Sequence, residues 1–224
     1  MKDLKFGLLG LIALLGALAQ PSSAGGTCDQ PYFPVRSGST WTYTTNLSVG
    51  KSSTHTVTIE NVTDKSFTQH QVFGSGTTTN ALEVRTNWSC GPNGLTSSQT
   101  QNNTVTTKST QVNAQVIRQS GVVIPANLGV GSSWTFSQLS SMKMGGQTLE
   151  IPSEASFKAI GMESVTVKAG TFTTLKVTAT TKITMPGSKE ATETTQTIWY
   201  ARGVGMVKTL VGSGTTTELV SYKI

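Results

Sequence analysis

Leu175-Lys176-Val177-Thr178-Ala179-Thr180-Thr181-Lys182-Ile183 is the stretch that decides the fold. Its odd positions are mostly apolar and its even positions polar, the period of a strand with one face in a core and the other in water. Leu175, Val177, Ala179 and Ile183 are therefore expected along one apolar wall. Just upstream, Val165 and Val167 alternate with Thr166 and Lys168. Ala169-Gly170 then reads as a short turn into Thr171-Phe172, so 164–184 is predicted to be a hairpin. Val57 and Ile59 alternate with Thr56, Thr58 and Glu60 in the same way. Leu82, Val84 and Trp88 share a parity, as do Trp41 and Tyr43. Between such runs lie polar turns: Thr63-Asp64-Lys65, Gly74-Ser75-Gly76, Pro92-Asn93-Gly94, Pro186-Gly187-Ser188 and Gly212-Ser213-Gly214. This spacing predicts antiparallel meanders.

Composition points the same way. The 224 residues include 25 Ser and 38 Thr, and only 12% are charged. A coiled coil or helical bundle needs more Glu, Lys, Ala and Leu than this. Thr and Val suit a pleated surface instead. The best helical candidate is Ser137–Gly145, and it is weak. With no helices to cover a sheet, strands must bury their faces on each other. An all-β fold is expected, as a sandwich or as a curved antiparallel sheet forming a partly closed barrel.

The first residues read as an address. Lys2 and Lys5 precede an apolar run from Phe6 to Ala19, Pro21 ends it, and Ser22-Ser23-Ala24 offers small residues at a cleavage site. Residues 1–24 are expected to be a signal peptide, leaving one β-rich domain over 25–224. The run is short of the ~20 residues that span a bilayer, and no later apolar segment is longer. Cys28 lacks the apolar residue three positions upstream that a lipid-attachment site needs. Export to the periplasm or the extracellular space is the expected destination. The formal net charge of +6 comes from singly scattered cations, not from the basic cluster of a nucleic-acid surface.

The sequence holds two cysteines, Cys28 and Cys90, both beside turn formers. In an exported chain an even count predicts a disulfide. Closing a loop of this length is worth ~4 kcal/mol in the chain-entropy model.

The chain also repeats itself. Gly38-Ser39-Thr40-Trp41-Thr42-Tyr43 returns as Gly131-Ser132-Ser133-Trp134-Thr135-Phe136, with Pro34 and Pro125 upstream. Trp88 is followed by Gly94-Leu95 at the same offsets at which Trp199 is followed by Gly205-Met206. All four tryptophans thus fall into two ordered pairs, which predicts two duplicated halves at about 32–121 and 122–224. The interval is 47 residues from Trp41 to Trp88 and 65 from Trp134 to Trp199. The surplus is expected near Ser140–Ser156, where strand patterning is faint. Trp41, Trp88, Trp134 and Trp199 are expected to anchor the core. Gly170, Gly203 and Gly205 are expected where a tight hairpin or bulge needs positive φ.

Four groups of residues carry a resemblance: Tyr32-Phe33-Pro34 with Gly38-x-x-Trp41-x-Tyr43; Trp88-x-Cys90 with Gly94-Leu95; Val167-x-Ala169-Gly170-Thr171-Phe172; and Trp199-Tyr200-Ala201-x-Gly203-Val204-Gly205. Together they resemble bacterial exported β-rich proteins of unknown function, in particular the TapB-like secreted family. The resemblance implies a curved antiparallel sheet, distantly similar to periplasmic lipoprotein carriers, and brings no catalytic residues with it. The helices that plug the carrier sheets have no counterpart here, which weakens a lipid-carrier inference.

Chemistry is sparse. His55 and His70 are the only imidazoles, each flanked by polar residues, and both read as solvent-facing strand residues. There is no Gly-x-Ser-x-Gly elbow, no metal-ligand spacing and no phosphate loop in a strand-to-helix context. Glu190 and Glu193 read as part of a solvated turn. No catalytic, metal or cofactor residue is expected. The favoured expectation is a non-enzymatic envelope or surface protein whose partner is another protein or an apolar small molecule. A carrier using the hollow of a curved sheet is the second reading, and a hydrolase with an unrecognised site the third. A cavity lined by apolar side chains from both halves would separate the second from the first.

Overall fold

The computed structural model describes residues 28–47, 50–74, 82–97, 103–107, 111–144, 147–188, 190–212 and 214–224. The expected leader, 1–24, lies outside them, as do Ser75-Gly76 and Ser213 of two expected turns. The described residues form strands, turns and loops, with no helix among them. The first part of the chain supplies β1 (Thr40–Asn46), β2 (Ser52–Glu60), β3 (Ser66–Phe73), β4 (Leu82–Gly91), β5 (Gly94–Ser97), β6 (Asn103–Thr106) and β7 (Gln111–Gly121). The second supplies β8 (Ile124–Pro125), β9 (Ser133–Met144), β10 (Gln147–Val167), β11 (Gly170–Thr184), β12 (Ala191–Ala201), β13 (Gly205–Val211) and β14 (Thr215–Lys223).

All pairings are antiparallel and belong to one 14-stranded sheet. The short β5 and β8 hang on β4, joined through Leu95 opposite Ile124. Every other strand pairs with its neighbour in the chain: β1 with β2, β2 with β3, β3 with β4, then β4 with β6, and so on to β14. β14 pairs back with β1 over Thr40–Asn46, so the pairing comes full circle. The shortest joint in this circuit is β4–β6, with three residue pairs. Strand alternation then gives every residue an inner or an outer side. Trp41, Tyr43, Val57, Ile59, Phe67 and Trp88 turn inward and are buried. The all-β class is the one expected from the alternating runs, and of the two arrangements they left open the curved sheet is the one formed.

The hairpin read from 164–184 is present, but its two-residue turn is Lys168-Ala169, with Val167 opposite Gly170. Gly170 is the first residue of β11, at φ 137°. Where strand patterning was faint, around Ser137–Ser156, β9 and β10 run as strands paired from Ser133–Lys158 to Met144–Gln147. Ser and Gln on both faces blur the period there, while the ladder to β7 and β11 fixes the strands. The hairpin of β9 and β10, with strands of 12 and 21 residues, is thus longer than that of β1 and β2, with 7 and 9.

Candidate functional site

Residues of one parity on β1, β2 and β3 build the wall of an interior cavity. Trp41 faces Val57, and Tyr43 faces His55. The next step places Val57 beside Gln71, Ile59 beside Gln69 and His55 beside Phe73. The far wall comes from Gln196 and Tyr200 on β12, Met206 and Thr209 on β13 and Thr217 on β14, while Phe33 and Pro34 cover one end. The pocket is partly open to solvent, and its volume is about 390 Å³, within the range of small-molecule sites. Both halves of the chain contribute to it.

Several polar groups of the lining are spoken for by the protein. Tyr43 Oη donates to the Met206 carbonyl at 2.9 Å, and Trp41 Nε1 to the Val204 carbonyl at 2.7 Å. Trp88 Nε1 donates to Gln69 Oε1 at 3.1 Å, and the Thr45 and Thr217 hydroxyls meet at 2.9 Å. Burial pushes the Tyr43 and Tyr200 phenols above their ordinary range, so both are neutral donors.

His55 corrects the sequence reading. It is 8% exposed, not solvent-facing, and lies between Tyr43 at 5.2 Å and Phe73 at 4.9 Å, stacked on both. Its Nδ1 is buried without a hydrogen-bond partner. Burial pushes the imidazole below its ordinary value, so the neutral ring is the resident form. Thr54 and Thr56 concealed it in the sequence, but the signal was there: residues 55, 57 and 59 share one parity, and Val57 and Ile59 mark the buried face.

His70 stands on the outer face. Its Nδ1 meets Glu60 at 3.0 Å and its Nε2 meets Glu83 at 3.2 Å, while Arg85 donates to Glu60 at 2.7 Å. Burial would raise the Glu60 carboxyl, but the hydrogen bonds from His70 and Arg85 outweigh it and hold Glu60 low. Both ring nitrogens are engaged by carboxylates, so no hydroxyl nucleophile is activated here. Among the described residues no group of three or more His, Cys, Asp and Glu is placed to hold a metal ion.

The expected apolar wall divides. Leu175, Val177 and Ala179 are buried to 1% exposure or less, Ile183 is 37% exposed near the end of its strand, and none of the four lines the cavity. Cys28 and Cys90 form a disulfide with Cα atoms 5.1 Å apart, tying the first described residue to β4. Phe33, just after it, packs on Trp88 and Phe67 at 5.6 and 6.0 Å. Trp41, Trp88 and Trp134 face inward, Trp134 stacked on Phe157. Trp199 is buried to 8% exposure and belongs to the same core cluster, but it lies between Ile198 and Tyr200 and so takes the opposite strand face. There its indole donates to Glu163, and Lys176 and Lys208 lie 5.6 and 6.0 Å from the ring. That hydrogen bond, with Lys176, holds the Glu163 carboxyl low. Gly203 and Gly205 have φ of 74° and 97°, as their place after a strand required.

A curved, all-β, disulfide-tied sheet around an interior cavity defines the class. The chain belongs to the DUF3108-like family, whose pattern matches residues 36–222. Two solved structures share the fold. A Bacteroides fragilis protein described as exported and of YmcC-like fold superposes with a TM-score of 0.54 at 16% identity, covering 87% of this chain and all of that one. A Parabacteroides distasonis protein described as a lipoprotein gives 0.52 at 16% identity, covering 87% of this chain and 99% of the other. No curated protein sequence matches the chain.

Proposed function

We propose that this protein is an exported, non-enzymatic binding protein that holds a small apolar or amphipathic molecule inside its strand circuit. The observation that carries the reading is the cavity of about 390 Å³, with aromatic and aliphatic walls supplied by both halves. A purely structural sheet of this composition would pack those faces together. Here hydrogen bonds hold Trp41 and Tyr43, and strand register sets Val57 and Tyr200, around an open space. Export is supported by the basic-apolar start of the sequence, by the Cys28–Cys90 bond, which persists in oxidising compartments, and by the descriptions of the two structural relatives. The narrower TapB-like likeness rests on the motifs alone.

The test is a fluorescence titration of the purified protein with N-phenyl-1-naphthylamine, an uncharged apolar fluorophore. One saturable site is expected. Thr209→Phe, which fills the cavity, should abolish it while the melting temperature stays within a few degrees. A linear, unsaturable signal in the parent protein ends the binding reading and leaves a surface interaction module.

A further inference from the structure

The two ends of the pocket differ. Along β1 its lining residues run Trp41, Tyr43, Thr45. The Trp41 end is closed: Trp41 is 5% exposed and Ile59 1%, and a Cβ on Gly205 would lie 3.5 Å from Pro34 Cδ and 3.9 Å from Trp41 Nε1. At the Thr45 end a row of threonines crosses three strands, Thr45 opposite Thr217 and Thr217 opposite Thr209. All three are half-buried, as is Phe73 at the end of β3. The pocket is partly open to solvent, and this threonine row is its wetter rim. Phe33 and Pro34 lie at the closed end, in a segment that is pinned on both sides. Cys28 is bonded to Cys90 on β4, and the Pro31 carbonyl accepts the Gly203 N–H between β12 and β13 at 2.7 Å. Within the segment, Gln30 and Phe33 exchange both backbone hydrogen bonds, and Asp29 Oδ1 accepts the Val35 N–H at 3.0 Å. The Phe33 ring packs on Phe67 and Trp88 and also lines the pocket. A turn tied in this way moves aside only by breaking several bonds together.

We propose that Phe33 is the floor of the pocket and sets the length of the chain it accepts: a single-chain amphiphile enters tail first past the threonine rim, its tail stops against the Phe33 ring, and its polar end stays in solvent. The inference rests on the binding reading above and names the residue that decides specificity within it. Each methylene moved from water into the pocket favours binding about fourfold. Once the tail meets Phe33, a further methylene is left in water at the rim and adds nothing. A head group that remains in water needs no partner in the wall, whatever its charge. Affinity therefore climbs with chain length and breaks at a fixed length. A floor held this firmly gives a sharp break, whereas a wall that yields to the ligand gives none.

The experiment is displacement of N-phenyl-1-naphthylamine from the full chain by n-alkanoates of every length from octanoate to hexadecanoate, each below its micelle concentration. In the parent protein the midpoint should fall about fourfold per added methylene and then level off at a break. Phe33→Ala removes the ring, and should move the break to longer chains by about two methylenes or more while the slope below it stays the same. Phe33→Leu should move it less, in the same direction, and decides the matter should Phe33→Ala fail to fold. A parent series without a break overturns the proposal. So does a folded variant whose break stays in place, including one that binds every length more weakly by the same factor, since that is the mark of a residue that only supports the fold. Absence of saturable fluorophore binding in the parent overturns the binding reading itself, a result distinct from these.

Discussion

The two halves of the chain begin alike and end differently. Around Gly38 and Gly131 the backbone is the same in detail. The φ values are 80° and 85°. Gly38 N–H donates to the Ile59 carbonyl, Ile59 N–H to Ser39 and Ser39 N–H to Arg36; Gly131 N–H donates to Ala159, Ala159 N–H to Ser132 and Ser132 N–H to Gly129. Trp41 and Trp134 follow as the second residues of β1 and β9, both facing inward. The halves also clasp each other reciprocally. Pro34 of the first approaches Gly205 of the second, and Pro125 of the second covers Gly94 of the first. The other tryptophans occupy corresponding strands, β4 being the third strand after β1 and β12 the third after β9. Their faces differ, because Trp88 pairs with inward Phe67 and Trp199 with outward Lys176. The face of Trp199 shows that a shared motif fixes a strand but not its register with the strand before it.

The largest expected effect separates the second half's packed wall from the shared cavity. Val177 is fully buried and lines no open space. Val177→Asp should therefore cost about 5 kcal/mol or more by burying an unpaired charge, and thermal denaturation should show no cooperative transition at 25 °C and above. A folded Val177→Asp protein would mean that this wall is open to solvent or ligand, like that of β1–β3. Next comes the disulfide, which ties only the first half. Cys90→Ser should lower stability by ~4 kcal/mol in denaturant unfolding. A loss below about 1 kcal/mol would make the segment around Cys28 an appendage instead of a strut.

The clasp glycines give a graded comparison. A Cβ on Gly94 would sit 2.0 Å from the Ile124 carbonyl oxygen at φ 133°, whereas one on Gly205 would sit 3.5 Å from Pro34 at φ 97°. Gly205→Ala should cost ~1–2 kcal/mol of backbone strain alone, and Gly94→Ala at least ~3 kcal/mol, because backbone must move as well. Equal costs would break the asymmetry. The smallest effect concerns pH. His55 has a folded pKa below its unfolded value, so the unfolded chain binds the extra proton first. Its contribution is complete above about pH 6.5 and is lost as pH falls from there toward the folded value. The loss is at most ~1.4 kcal/mol per pH unit. His55→Phe should flatten the stability profile between pH 5 and 6.5, and the carboxylates Glu60 and Glu163, both held low, should dominate below pH 4.5.

The sequence by itself determined the strand content, the inward parity of Trp41, Tyr43, Val57 and Val177, the Cys28–Cys90 pairing and the glycines that turn the chain. Each of these is local: a period of two, a positive φ, or an even count of cysteines. It also held the parity that buries His55, although polar neighbours disguised it. Only the tertiary structure decided what depends on distant strands. The return of β14 to β1 brings Tyr43 within hydrogen-bonding reach of Met206, 163 residues away, and so creates the cavity. The strand face on which Trp199 is buried, the burial of Leu175, Val177 and Ala179 away from the cavity and the exposure of Ile183 follow from where each strand meets its partner. A single strand's alternation says that it has two faces. Which face encloses a space, and which packs solid, is set by the curvature of the whole sheet.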